Sequence, residues 1–415
     1  MSGHTTSEND LSSTNAPEAL VASAGTLVSQ RRFGKAIECL DRALEQHPDA
    51  TEWIRLRGNV LQIVARHEEA LRDFQSLIAR TPSDGRAWQK LAHSLRSLDR
   101  PEEAEKAFLR AIELDPRSVD SMADLGNLCR DAGRYREAVE WLSKAVAGAP
   151  SDSGLRAMLG AALLTADDPG GARQNLEKAF QLNPYDRTAL AYLYVALCQT
   201  GDKEIASGLI QPDLLVRSYQ RAGSAGGSGN PDDLDDRLAD HVRGHPGLEF
   251  ERPGNTTRGG AHTGNLLDEA PGAVLELVEW IEDQVREYLH ALPADGSHPY
   301  LAWKPESWDI DIWGIVIHSG GYQLSHIHRD GWISGVYYAA VPEGVQSEGG
   351  DDSAGCLELG RPPEAFCTTT DYPTMVIRPR PGRLNLFPSF LWHRTLPYQE
   401  DQERICIAFD IRPKV

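Results

Sequence analysis

Ser325-His326-Ile327-His328-Arg329-Asp330 sets two imidazoles and a carboxylate at every second position, just before the strand-forming run WISGVYY. In an extended chain, residues two apart project to one side. His326 and His328 therefore point together, and Asp330 joins them if the strand continues. Asp330-Gly331 is also a turn signal, which would leave Asp330 at a frayed end. A further ligand must come from another strand, and RLNLFPSFLWHRTLPY offers His393. Such a set holds three adjacent corners of an octahedron, the facial geometry of non-haem iron chemistry. Three positions then stay open, two for a chelating co-substrate and one for dioxygen. Two ligand sets are compatible with the spacing: His326, His328 and His393, or His328, Asp330 and His393.

A chelating acid needs a cation for its far carboxylate. Arg404 lies eleven residues after His393, on the run RICIAFDI. An antiparallel return through YQEDQE would bring it back beside the metal. A planar guanidinium grips a carboxylate through two parallel bonds, which lysine cannot do. The fitting acid is 2-oxoglutarate. Cys356, Cys367 and Cys406 match no zinc spacing and read as buried thiols. His318 ends a strand without a partner and reads as structural.

These side chains need rigid supports. The segments SWDIDIWGIVIHS, GGYQLSHIH, ISGVYYAAV, CLELG, TMVIRPRP, RLNLFPS and RICIAFDIR are short, β-branched or aromatic, and broken by Gly, Pro or Asp. One amphipathic helix is predicted over 270–292. Several short strands after one helix predict a double-stranded β-helix, a jelly-roll or cupin-like barrel, over 245–415. Barrels of this kind hold ligands in their mouths.

The first half repeats. Prolines stand at 48, 82, 116, 150 and 184, and alanines at 36, 70, 104, 138 and 172, both 34 apart. Small residues recur at Gly58, Ala92, Gly126 and Gly160, and bulky ones at Phe74, Phe108, Leu142 and Leu176. A 34-residue period means one helix-turn-helix unit per repeat. About five units over 17–185 and a closing helix near 186–206 form an α-solenoid spanning 17–206. The expected class is α+β. A solenoid offers a groove for a peptide or protein, or a rigid spacer.

The chain has 415 residues and a formal net charge of −19. An acidic surface repels phosphate backbones, so nucleic acid is not the expected partner. No apolar run approaches the ~20 residues that cross a bilayer, so no membrane partner is expected. Residues 1–16 read as a disordered tail without signal-peptide features. The stretch AGSAGGSGNPDDLDDRLADH marks 207–244 as a flexible linker. Six scattered cysteines without a CxxC pair fit reduced thiols in a cytoplasm.

AGRYREAVEWLSKAVAGAP and DRPEEAEKAFLRAIELDP resemble tetratricopeptide repeats. WDIDIWGIVIHSGGYQLSHIHRDGWISGVYYAAVP, GCLELGRPP and RPRPGRLNLFPSFLWHRTLPYQEDQERICIAFDI resemble the 2-oxoglutarate- and iron(II)-dependent oxygenases with HxH, SGxYY and FPSxxxH signatures. The aspartyl/asparaginyl hydroxylases are a more distant likeness. The resemblance places His326, His328 and His393 on the marked histidines, and Arg404 on the co-substrate arginine. Tyr338 falls on a strand tyrosine that helps hold the same carboxylate. Ser334 shares the strand face of Tyr338 and is a further candidate there. Spacing to Tyr338 favours His328 as the second ligand, whereas a carboxylate's charge favours Asp330, so both sets stay open. The implied cofactors are iron(II), 2-oxoglutarate and dioxygen. The implied reaction is hydroxylation of an unactivated C–H bond on a peptide or protein side chain. A small-molecule oxygenase with repeats used for assembly, and a scaffold with a vestigial metal site, are the alternatives.

Overall fold

A computed structural model describes residues 16–223, 233–252, 255–268, 272–347, 353–366 and 370–414. The expected disordered tail lies, but for Ala16, outside the described residues. The chain divides into two compact units, Met1–Pro150 and Ser151–Val415.

In the first unit, eight helices follow one another: α1 (Pro17–Ser29), α2 (Phe33–Gln46), α3 (Thr51–Ile63), α4 (His67–Arg80), α5 (Gly85–Ser97), α6 (Pro101–Leu114), α7 (Val119–Asp131) and α8 (Tyr135–Gly148). They form helical hairpins at the expected period. The small and bulky columns meet within a hairpin: a Cβ on Gly126 would lie 2.7 Å from Leu142 Cγ. Phe74, Phe108 and Leu142 are fully buried. Asp84 and Ser118 cap α5 and α7 through backbone N–H groups.

The second unit begins with α9 (Ser153–Thr165), α10 (Pro169–Leu182), α11 (Arg187–Gln199), α12 (Lys203–Ile210) and α13 (Pro212–Leu215). Helix α11 is apolar all round, and residues 189–198 are all buried. Such a helix belongs inside a core rather than on one. Trp392 Nε1 donates to Ala191 O at 3.1 Å, and Tyr194 Oη to Pro373 O at 3.1 Å. The Tyr192 ring lies 5.5 Å from Phe366 and 5.7 Å from Trp392. The solenoid's closing helix is thus part of the β domain's core, which accounts for a compact unit starting at Ser151.

Ten strands follow: β1 (Arg217–Gln220), β2 (Glu249–Phe250), β3 (Thr257–Asn265), β4 (Trp308–Gln323), β5 (Ile333–Ala340), β6 (Leu357–Leu359), β7 (Met375–Ile377), β8 (Arg383–Pro388), β9 (His393–Thr395) and β10 (Arg404–Pro413). They make a seven-stranded sheet, β1-β8-β5-β10-β4-β3-β2, and a three-stranded sheet, β7-β6-β9, antiparallel throughout. Two antiparallel sheets in this arrangement are consistent with a jelly roll. Three helices complete the unit: α14 (Leu234–Gly244), α15 (Gly272–Ala291) and α16 (Glu343–Gln346). Helix α15 matches the one predicted over 270–292.

The segment 207–244 departs from the expected linker. β1 is the edge partner of β8, and α14 buries Leu234, Leu238, Ala239 and Val242. The Tyr337 hydroxyl donates to Asp235 from beneath that helix. The Gly/Ser-rich composition that suggested a linker is concentrated in 224–232, outside the described residues. GGYQLSHIH is also not a strand throughout, because β4 runs on from Trp308 and stops at Gln323.

Among the described residues, no helix is long and apolar enough to cross a membrane. Cys39, Cys129, Cys198, Cys356 and Cys406 are buried. Cys367 lies outside the described residues.

The α11 contacts generate a test. Trp392→Ala removes a large aromatic and a buried hydrogen bond from the joint between helix and barrel. A loss of about 3–5 kcal/mol is expected on denaturant unfolding, whereas Trp280→Ala, on half-exposed α15, should cost less.

Candidate metal centre

After Gln323 the chain leaves β4, and its next residues are pinned by backbone bonds instead of a ladder. His326 and His393 form an isolated antiparallel bridge, with N–H···O bonds of 3.0 Å in both directions. His328 N–H donates to Ser389 O at 3.1 Å. His393 opens β9, opposite Leu359. These bonds bring three imidazoles together. Ring centroids lie 4.2 Å apart for His326–His393, 5.0 Å for His328–His393 and 5.1 Å for His326–His328. One nitrogen from each ring falls within 4.8 Å of the others.

The remaining nitrogens fix the tautomers. His326 Nδ1 lies 2.7 Å from Leu324 O, and His393 Nδ1 lies 2.9 Å from Leu391 O. A carbonyl only accepts, so both Nδ1 atoms carry the proton and both Nε2 atoms keep a lone pair. His328 Nδ1 lies 2.6 Å from Asp410 Oδ1. Every Nδ1 is thus engaged, and every Nε2 is left to ligate. Metal-bound histidines are held in this manner, by a carbonyl or carboxylate on the other nitrogen.

Burial, then the neighbouring His328, lowers the His326 pKa to about 3. Burial and the other two rings push His393 well below its ordinary value. Neutral imidazoles crowded at this distance repel a proton but suit a divalent cation. The donor set therefore fits a metal ion such as iron(II).

Asp330 is not part of this cluster: it is exposed, in a bend. The alternation that would align it with the histidines ends with β4. The carboxylate of the site is Asp410 on β10, which sits directly opposite Ser334 of β5. Ser334 Oγ donates to Asp410 Oδ1 at 2.7 Å and lies 3.0 Å from Ser389 Oγ. Ser334, expected near a co-substrate's far end, instead braces the carboxylate that holds His328. Asp410 was legible in principle, since Arg404, Cys406, Ala408 and Asp410 alternate along one face of β10.

Arg404 opens β10, is 1% exposed, and lines the same cavity of about 390 Å³ as the three histidines. Its Nη1 donates to Gly355 O at 2.8 Å, and its guanidinium lies 5.0 Å from the Tyr338 ring centroid. A register shift of β5 against β10 falls between Ile405 and Cys406, next to it. Arg404 Nε is buried without a hydrogen-bond partner among the described residues, and the Tyr338 hydroxyl interacts with the Asn385 side chain. Burial pushes the Tyr338 phenol up to about 12, against the pull of Arg404. No ion pair joins Arg404 to a carboxylate among the described residues, and a buried guanidinium in that state is costly. An organic acid would satisfy it.

Two outcomes are expected. Stability of the metal-free protein should fall as pH drops below about 6.5, where unfolded histidines protonate. Folded His326 resists protonation down to about 3, so the unfolded state binds more protons across that window. Replacing His326 and His393 by glutamine should flatten this dependence in pH-dependent denaturation. Separately, Asp410→Asn should weaken divalent-metal affinity about 10–100-fold in chelator competition, whereas Asp330→Asn should leave it unchanged.

Residues 311–410 match a family model described as "Putative 2OG-Fe(II) oxygenase", and 22–85 and 90–153 match a tetratricopeptide-repeat model. The chain is similar to Small glutamine-rich tetratricopeptide repeat-containing protein 2 of Mycosarcoma maydis, 29% identical over 99 residues, covering 24% of this chain and 28% of that protein. It is also similar to the Peroxisomal targeting signal receptor of Candida albicans, 36% identical over 69 residues, covering 17% of this chain and 12% of the receptor. The chain thus spans only a small part of these curated relatives. The crystal structure of MamA protein aligns at 18% identity and a TM-score of 0.37, over 40% of this chain and 91% of that one. Two stretches that match a tetratricopeptide-repeat model are thus followed in this chain by one that matches the model of putative 2OG-Fe(II) oxygenases.

Proposed function

We propose that the protein is an iron(II)- and 2-oxoglutarate-dependent dioxygenase that hydroxylates an unactivated C–H bond on a peptide or protein side chain. One observation carries the reading. Three imidazoles with engaged Nδ1 atoms share a cavity with a buried arginine that has no carboxylate partner among the described residues. His326, His328 and His393 hold the metal in this scheme. Asp410 orients His328 and lends it negative charge. Arg404, with the Tyr338 hydroxyl nearby, takes the distal carboxylate of 2-oxoglutarate. With its co-substrate bound, iron(II) supplies an oxidation in which 2-oxoglutarate and dioxygen become succinate, carbon dioxide and one oxygen inserted into C–H.

The chain's own contribution is placement and exclusion of water. His393 and Arg404 are buried. The ligand-bearing backbone is tied to both sheets, so the three imidazoles would hold the metal at the cavity wall. The repeats support a polypeptide substrate: one similar protein is named as the receptor of a targeting signal. In this scheme the solenoid captures a polypeptide, and the β domain performs the chemistry.

The test is incubation of the full chain with iron(II), 2-oxoglutarate and air. Succinate release is read first, then the gain of one oxygen atom by members of a peptide library. Arg404→Lys should raise the KM for 2-oxoglutarate roughly tenfold or more, because the paired, charge-assisted grip is lost. Turnover that Arg404→Ala leaves intact would point instead to a three-histidine dioxygenase without the co-substrate. Succinate coupled to a metabolite but to no peptide would leave the repeats an assembly role. Failure to bind iron would reduce the domain to a scaffold.

A further inference from the structure

The same cavity has a second histidine feature that metal binding does not use. His262 lies on β3, opposite Ile315 of β4. It is 8% exposed and forms part of the cavity wall. Its Nε2 is 2.5 Å from Thr257 Oγ1. Thr257 in turn accepts from Gln323 Nε2 at 3.3 Å, and Gln323 Oε1 accepts from Thr395 Oγ1 at 2.9 Å. The chain therefore runs from β9, two residues past His393, to β3.

Its direction leaves a proton for one tautomer of His262 in particular. Each hydroxyl has a single proton. Thr395 gives its proton to Gln323 Oε1, so the Gln323 amide nitrogen faces Thr257. Thr257 then has its own proton free for His262 Nε2. With Nε2 accepting, the imidazole proton sits on Nδ1. That N–H has no protein partner among the described residues.

We infer that His262 is a substrate-binding residue, and that its Nδ1–H donates to an amide carbonyl of the molecule being oxidised. The inference rests on the oxygenase reading for its occupant, and it narrows the substrate to an amide. Burial, with Arg252 and His328 nearby, holds the His262 pKa near 4. The ring is thus a neutral donor at ordinary pH, suited to a neutral carbonyl. Asn255 and Asn265 also line the cavity, and their side chains complement amide groups. A carboxylate has its place at Arg404 instead.

The tautomer can be read in the full chain labelled with 15N-histidine and free of metal. The His262 signal is the one lost in His262→Gln. Should that variant not fold, Thr257→Val displaces the same signal. The expected state is Nδ1 protonated. N-methylacetamide then serves as the probe, with acetate in a parallel arm. The His262 Nδ1–H resonance should shift saturably with the amide, shift little with acetate, and lose its amide response in Thr257→Val. The amide response should persist after zinc(II) and 2-oxoglutarate are added.

Protonation at Nε2 overturns the inference, as does the absence of an amide response. Loss of that response when 2-oxoglutarate binds would assign the donor to the co-substrate and also overturns it. The oxygenase reading is tested apart from this, by zinc(II)-induced shifts of His326, His328 and His393. If those rings ignore zinc(II), that reading fails whatever His262 does.

Discussion

The peptide groups of His326 and His393 exchange two hydrogen bonds at a point where β4 has already ended and β9 is only beginning. That exchange holds a strand end of the large sheet against the small sheet. Without it, the two imidazoles would sit on segments free to move apart. With it, their rings lie 4.2 Å apart, and His328, two residues on, is drawn into the same cluster. The anchors on Nδ1 then turn three nearby rings into three aligned donors. Two of these anchors are carbonyls two residues back, Leu324 and Leu391, so the local backbone turn itself selects the tautomer.

Charge is arranged around this cluster in a graded way. Three neutral imidazoles do not offset a divalent cation's charge. Asp410 does so from one imidazole away, bonded to His328 and braced by Ser334. At another part of the cavity, Arg404 presents a buried positive charge with no carboxylate partner among the described residues. In the proposed function a dianionic chelator would answer both needs, one end serving the metal and the other the guanidinium. The electrostatics thus favour a co-substrate of defined charge and length over an arbitrary apolar ligand.

Helix α11 shows how a repeat becomes part of another fold. Helices α2, α4, α6 and α8 keep one buried face and one solvated face, as stacked repeats require. Residues 189–198 of α11 are buried on all sides, and its tyrosines and Gln199 meet the backbone and rings of the β domain. A segment of solenoid period is therefore core material for the β domain.

The repeats were legible because their information is local and recurs: a small residue and a bulky one 16 positions later, repeated every 34 residues, encode the same contact each time. The strands, helix α15, the clustered histidines and the arginine were also within reach, since alternation and residue chemistry are properties of a short segment. The linker over 207–244 misled because turn-forming residues at its centre masked β1 and α14, which are stabilised only by packing on the sheet. Whether Asp330 or a histidine completes the cluster could not be read from spacing. That depended on where β4 stops, and β4 stops where its partners do. Asp410 and His262 are separated from the histidine pair by many residues and joined to it only across strands. Side-chain type and period come from the chain alone. Which donors converge is decided by hydrogen bonds between distant segments, so only the folded structure reveals it.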